Sequence, residues 1–423
     1  MIYRRRVIDD ELDELFPELA AIAIEGPRAV GKTATCLQRS STVRRLDDPA
    51  QASLAAADPH RVVTGESPIL IDEWQRVPEI WDAIRRAVDE DPSPGRFLIT
   101  GSASPAAPPT HSGAGRIVRL RMRPFSLAER DLDRPSISLR ELLSGRKPAL
   151  KGDTTVDLSR YASEIVASGF PAIRPLSPRA RRAQLGGYID RIVDRDFEEV
   201  GQPVRREDTL RRWMSAYGAA TSTTATMETV RDAATGGQAD KPARTTVMSY
   251  RETLQKLWIL DPVAAWVPSK NYFSRLAHPE KHHLADPALV TALLGLDEAA
   301  LLEGEGGGVH IPRDGTLLGH LFESLVTQSV RVYAQAAEAS VKHLRTKGGR
   351  HEVDLIVERG DGRVLAMEVK LGRDVSDDHA THLRWLSERM DEDLLDAVVI
   401  NTGSTAYRRS DGVGVIPAAL LGP

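Results

Sequence analysis

Cysteine is almost missing from this chain. Of 423 residues only Cys36 is one, which excludes a disulfide framework and fits a reducing cytoplasm. Long apolar runs are missing too: the longest near the start, Leu19 to Ile24, is far too short to span a bilayer. Arg4-Arg5-Arg6 leads into Ile8-Asp9-Asp10-Glu11 rather than an apolar signal core, so the reading expects no secretion signal and no membrane partner. Nor is there surplus positive charge. Lys+Arg 56 against Asp+Glu 60 gives −4, so no overall basic field points to nucleic acid, although a local basic groove stays open. What is present is balanced, with 41% apolar and 27% charged residues, the composition of an ordinary globular protein. At about 150 residues per domain, the length predicts about three domains.

The text changes twice along the chain. Up to about Ser126, short apolar runs (Ala21–Ile24, Ile69–Ile71, Phe97–Thr100) alternate with helical patterns such as Ile80–Val88. Continuous apolar strands between helices predict an α/β domain with a parallel sheet covered on both faces. Pro105–Gly115 reads as a surface loop. From Leu127 to Leu302 the pattern is helical, clearest over Arg182–Phe197 and Ser249–Leu260, and Glu303–Gly308 reads as a linker. Beyond it, Leu317–Ala336 reads as a long helix, and β-runs Val353–Val357 and Val364–Val369 flank Gly360-Asp361-Gly362 as a hairpin. The predicted domains are 1–126, 127–302 and 315–423.

Gly26-Pro27-Arg28-Ala29-Val30-Gly31-Lys32-Thr33 fits G-x-x-x-x-G-K-[ST] at every fixed position, between a strand and a helical run. Glycines allow the tight turn that aims successive N–H groups at phosphate oxygens. Lys32 is then expected to reach the β- and γ-phosphates of ATP, and Thr33 to offer its hydroxyl to Mg²⁺. Ile69-Leu70-Ile71-Asp72-Glu73 is an apolar strand ending in two acids, Asp72 for the Mg²⁺ shell and Glu73 to deprotonate the attacking water. Ser102, at the end of the third strand, is a candidate γ-phosphate sensor, or a simple turn cap. Arg116 is a candidate arginine finger for its own site or a neighbour's. Arg119, Arg121 and Arg123 alternate with apolar residues and are read as a solvated strand face.

In the C-terminal part, Asp361 taken as the hairpin centre sets Asp354 opposite Glu368. Opposed carboxylates repel, and a divalent cation between them would remove that penalty. With Glu323 on the preceding helix and Lys370 on the face of Glu368, the set suggests a metal-assisted phosphodiesterase site. The plainer alternative pairs Lys370 with Glu352 in a surface charge ladder. In the middle, Ser249 with Glu252 has the spacing of a capping box, and the β-run Ala264–Val267 after that helix suggests a winged helix, here favoured as a packing module. The Arg179/Arg181/Arg182 and Arg205/Arg206 clusters are weak signals for DNA, and His282-His283 is not read as metal-binding.

Together, Gly26–Thr33, Leu46-Asp47-Asp48, Ile71–Pro78, Thr100-Gly101-Ser102 and Gly115-Arg116 through Ser126 resemble a prokaryotic family of AAA-type P-loop ATPases fused to a C-terminal domain of unknown function. Tyr188–Asp196, Gly319–Glu323, His351–Asp354 and Glu368–Lys370 resemble its second part. The resemblance covers nearly the whole chain. It implies an ATPase, and it implies that the end domain is similar to the PD-(D/E)xK restriction-endonuclease-like fold, with Glu323, Asp354, Glu368 and Lys370 at its metal site. ATP and Mg²⁺ are the implied cofactors. Nucleic acid, a protein partner and a second copy of the chain all remain open as partners.

Overall fold

The computed structural model describes residues 3–103, 114–235, 241–267, 278–303 and 316–423. Most of the expected 105–115 loop and of the linker at 303–308 lies outside them. Five strands form the first sheet: β1 (Ala21–Glu25), β2 (Thr42–Arg45), β3 (Ile69–Asp72), β4 (Phe97–Gly101) and β5 (Val118–Arg121). Their order is β2-β3-β4-β1-β5, and every pairing is parallel. Side chains alternate between faces along a strand, and both faces are covered. Ile22, Ile24, Leu70 and Leu98 join one apolar core, while Ala21, Ala23, Ile69, Ile71, Phe97 and Ile99 join another with the helix Glu79–Glu90. Fully burying one such side chain stabilises by about 1.5–3 kcal/mol. That two-sided burial is why these runs are apolar at every position.

A short strand, β6 (Ile137–Ser138), follows, and then a largely helical stretch to about residue 260. The helix expected from Ser249 begins earlier. It spans Arg244–Lys256, starting just past Pro242, which cannot continue a helix backward. Val247, Tyr250 and Leu254 bury one face at helical spacing, so Ser249 is an interior residue rather than a cap.

The second sheet is mixed and seven-stranded. It holds β7 (Ala265–Trp266), β8 (Ser340–Arg345), β9 (Glu352–Glu358), β10 (Val364–Val369), β11 (Leu394–Asn401), β12 (Tyr407–Arg408) and β13 (Gly414–Pro417), in the order β12-β13-β11-β10-β9-β8-β7. The expected wing strand is β7, and it pairs in parallel with β8 of this sheet. It therefore extends the C-terminal sheet, while the antiparallel pairs Leu260–Leu284 and Val263–Lys281 follow the helix before it. A second pairing crosses the same expected boundary, between 127–302 and 315–423: β14 (Leu421–Gly422) pairs with β6. One continuous apolar core reaches from Val7 to Leu421.

The hairpin holds the register set by an Asp361-centred turn, with Val364 beside Glu358 and Met367 beside Leu355. The helix Thr316–Ala336 matches the expected long helix and packs through Leu321, Phe322, Leu325 and Val330. Among the described residues, no helix is long and apolar enough to cross a membrane.

Candidate functional site

The loop after β1 takes a conformation its sequence requires. Gly26, Ala29 and Gly31 all have positive φ. A Cβ on Gly26 would lie 2.2 Å from the carbonyl oxygen of Met122, so only glycine lets the continuation of β5 pass this close. Lys32 is buried, and its Nζ donates to the Gly26 and Pro27 carbonyls at 2.9 and 2.8 Å. The ammonium is thus folded back over the loop that would cradle phosphates. Thr33 donates its hydroxyl to Asp72 Oδ1 at 2.8 Å, and Thr100 donates to the same oxygen. Burial raises the Asp72 carboxyl above its usual range.

Glu73 sits in the left-handed region at φ 56°, turning its side chain away from the line of β3. Ser102 donates to Glu73 Oε2 at 2.7 Å, and Gln75 Nε2 donates to that oxygen as well. Ser102 is therefore a partner of the expected base, a contact that strand-end spacing did not foretell. A hydroxyl and a carboxylate at contact distance are the donors a Mg²⁺ shell needs, so Thr33 and Asp72 fit that ion.

Arg28 leaves the loop to ion-pair with Asp196 (3.3 Å) and Glu199, and the Tyr188 hydroxyl donates to the Arg28 carbonyl at 3.3 Å. Its partners lie on and just after a π-helical turn, Ile192–Asp196, that continues the helix Pro178–Arg191. Arg116 sits elsewhere. Val118 lies beside Ile22, so Arg116 comes ahead of the strand's first residue, about 20 Å from the loop at ~3.3 Å per residue. It donates to Asp89 at 2.8 Å and does not join the loop of its own chain.

A cavity of about 700 Å³ opens on the flank of the loop, where Gly31 and Thr35 meet Tyr3, Arg6, Phe125 and Arg174. Arg6 is buried and braces the site, donating to the Val30 and Arg123 carbonyls and to Glu129 Oε1. These residues come from three distant stretches and belong to no local pattern, so sequence reasoning missed them.

The strand carrying Arg119, Arg121 and Arg123 departs from the expected solvated face. Arg121 and Arg123 pair with Asp261 at 3.1 and 2.8 Å, and Arg331 of the helix Thr316–Ala336 joins them at 2.9 Å. Burial opposes ionisation of Asp261, yet three guanidinium groups hold its carboxyl far below the usual range. Only Arg119 matches the expectation of an exposed side chain; it lies over the Trp81 ring.

At the C-terminal sheet, Asp354, Glu368, Lys370 and Glu323 do come together. Lys370 Nζ lies 2.6 Å from Glu368 and 3.8 Å from Asp354, so the alternative Glu352–Lys370 ladder is not formed. The expected metal position is occupied otherwise. Lys281 places its Nζ 2.8 Å from Glu323, 3.0 Å from Asp354 and 3.4 Å from Glu352. Among the described residues, no group of three or more His, Cys, Asp or Glu side chains is arranged to hold a metal ion. Glu323, Asp354 and Glu368 thus do not fit a divalent cation as they stand, because an ammonium already takes the lone pairs it would need. Burial pushes Glu323 up to about 8 and Glu368 well above its usual value, while Lys281 and Lys370 hold Asp354 low against its burial. Lys281 was missed because it comes from the middle of the sequence. It lies on a short ribbon in which Val263 and Lys281 exchange backbone hydrogen bonds at 2.9 Å.

The buried Lys32 carries a testable consequence. Burial lowers its ammonium to about 8, whereas a bound polyphosphate would favour the charged form. Above that pH the free protein has lost the proton that the complex keeps. Nucleotide affinity is therefore expected to fall by about tenfold per pH unit over the first unit or so beyond pH 8. Titrations of a fluorescent ATP analogue between pH 7 and 9.5 check this, and a flat affinity would contradict it.

Comparison with known proteins finds three family matches along the chain. Residues 19–130 match an AAA domain family, and residues 158–300 and 318–421 match two further families described only as domains of unknown function. Uncharacterised proteins of Mycobacterium tuberculosis and Mycobacterium bovis are each 25% identical over 99% of this chain and 84% of their own length. Among solved structures, the chain is similar to the Aeropyrum pernix ORC2 protein in ADPNP–ADP complexes (14% identity, 72% of this chain, 96% of that one, TM-score 0.28). It is also similar to a Thermotoga maritima RuvB variant (16% identity, 64% of this chain, 91% of that one, TM-score 0.25). The N-terminal segment is an AAA-type P-loop domain, a nucleotide-binding fold.

Proposed function

We propose that this AAA-type domain is a Mg²⁺-dependent ATPase whose nucleotide state is passed to the C-terminal domain. One observation carries the reading: Lys32, Thr33, Asp72 and Glu73 converge at the C-terminal ends of β1 and β3, around a loop with three positive-φ residues. Backbone N–H groups of residues 28–33 bind the phosphates. Lys32 exchanges the Gly26 and Pro27 carbonyls for phosphate oxygens, so its ammonium keeps hydrogen-bond partners throughout. Thr33 and Asp72 hold Mg²⁺, which when bound neutralises charge on the phosphate oxygens. Glu73 leaves Ser102 and Gln75 to take the proton of the attacking water. The cavity beside Gly31 is offered to the nucleoside.

A route from this site to the rest of the chain runs through Met122. Its backbone abuts Gly26, and its neighbours Arg121 and Arg123 grip Asp261 and, through it, Arg331. We read the C-terminal domain as PD-(D/E)xK-like, with Asp354 and Glu368-Val369-Lys370 on adjacent strands. Nucleic acid or a protein remains its candidate partner, and the lysine-filled acid cluster favours a binding platform over a cleaving one. For Arg116, the remaining role is toward a second copy.

Lys32→Ala is the direct test of the ATPase. It removes charge-assisted contacts to phosphate and is expected to weaken ATP binding by at least about tenfold and abolish measurable turnover. Turnover at the wild-type rate would refute the assignment. Incubation of wild type and Asp354→Ala with DNA and RNA, with Mg²⁺ or Mn²⁺ and with or without ATP, separates platform from nuclease. Cleavage lost in the variant would overturn the platform reading.

A further inference from the structure

We propose that the ammonium of Lys281 is a built-in replacement for a divalent cation, and that it keeps the acid cluster of the C-terminal sheet closed to metal. The argument starts from charge. Glu323, Glu352, Asp354 and Glu368 bring four carboxyl groups from one helix and two adjacent strands to one place. Lys370 serves mainly Glu368, at 2.6 Å, and stands 3.8 Å from Asp354. The rest would be left facing each other in a buried site, which is strongly unfavourable without a cation.

Lys281 supplies it. Its side chain is 1% exposed, and its one nitrogen approaches three carboxylates at 2.8, 3.0 and 3.4 Å. Two of its N–H groups donate to Glu323 and Asp354, and Glu352 adds an ion-pair contact. A Mg²⁺ or Mn²⁺ ion would need the same lone pairs of Glu323 and Asp354, and the two cations would repel at contact distance.

The cluster nevertheless keeps a feature of a metal site. Glu368 Oε1 is buried and has no hydrogen-bond partner. Lys281 does not satisfy it, and Lys370 reaches the other oxygen, Oε2. Removing the Lys281 charge would free the lone pairs of Glu323 and Asp354, hard oxygen donors of the kind that Mg²⁺ and Mn²⁺ bind, with Glu368 Oε1 left unpartnered in the same cluster.

The test needs no nucleotide and so stands apart from the ATPase reading. The full chain is titrated with Mn²⁺, and free Mn²⁺ is followed by electron paramagnetic resonance. Wild type is expected to show no site tighter than about 1 mM that depends on Asp354. Lys281→Met, of similar length but uncharged, is expected to gain one site at least about tenfold tighter, and the double variant Lys281→Met/Asp354→Asn to lose it. A tight site in wild type that Asp354→Asn abolishes would overturn the proposal without reference to any Lys281 variant. So would a Lys281→Met protein that keeps the wild-type circular dichroism spectrum yet gains no Mn²⁺. If Lys281→Met does not fold, Lys281→Gln is read by the same two criteria.

Discussion

Glu73→Gln is expected to leave ATP bound and to lower turnover by on the order of 10²–10⁴-fold, the usual contribution of a positioned general base. The substitution keeps the shape of the side chain, and the glutamine carbonyl can still accept from Ser102. It removes only the ability to take a proton. Binding should survive because the phosphate contacts assigned to Lys32, Thr33 and the loop N–H groups do not involve Glu73. Steady-state phosphate release, read beside the affinity for a fluorescent ATP analogue, separates the two effects. A fall in kcat with little change in affinity is the expected pattern. If the variant hydrolyses ATP at the wild-type rate, the proton goes elsewhere and the left-handed turn at Glu73 serves only the fold.

The second large effect is on stability. Asp261 is the shared counter-ion of Arg121, Arg123 and Arg331, and Asp261→Asn would leave three arginines gathered around a neutral amide. Removing one partner of a buried ionic cluster costs about 3–5 kcal/mol. Equilibrium denaturation at neutral pH measures this, and a difference below about 1 kcal/mol, the scale of a surface pair, would mean that the cluster is effectively solvated. The pH dependence has a definite sign. The folded-state carboxyl lies below its unfolded value, so its contribution is complete above about pH 4 and is lost as pH falls further. The gap between wild type and variant should therefore narrow only in acid.

Legibility in the sequence followed the reach of the contact. Gly26–Thr33 is a local motif whose backbone requirements sit within eight residues, and its strand, loop and helix appear where the pattern put them. The hairpin register was equally readable, because the turn at Asp361 fixes every pair after it. Failures came where a partner lies far along the chain. A strand alternating arginine with apolar residues looks solvated until Asp261, 138 residues past Arg123, is folded against it. The repulsion between Asp354 and Glu368 was legible, and a compensating cation was a sound demand. That a lysine 73 residues before Asp354 meets the demand is a fact of tertiary packing. The run Ala264–Val267 was rightly read as extended, but nothing local names β8 as its neighbour.

The pairing of β14 with β6 sets a timetable. Ile137 and Ser138 are synthesised about 280 residues ahead of Leu421 and Gly422, which complete their two-stranded sheet. At ~5–20 residues per second this is a wait of roughly 15–60 s, during which Ile137 and Leu139, just past the AAA-matching residues, lack part of their final surroundings. Val156 and Tyr161, packed in the same core as Leu420 and Leu421, wait with them. The stretch that follows the AAA-matching residues is made early but completed only when the last strand arrives.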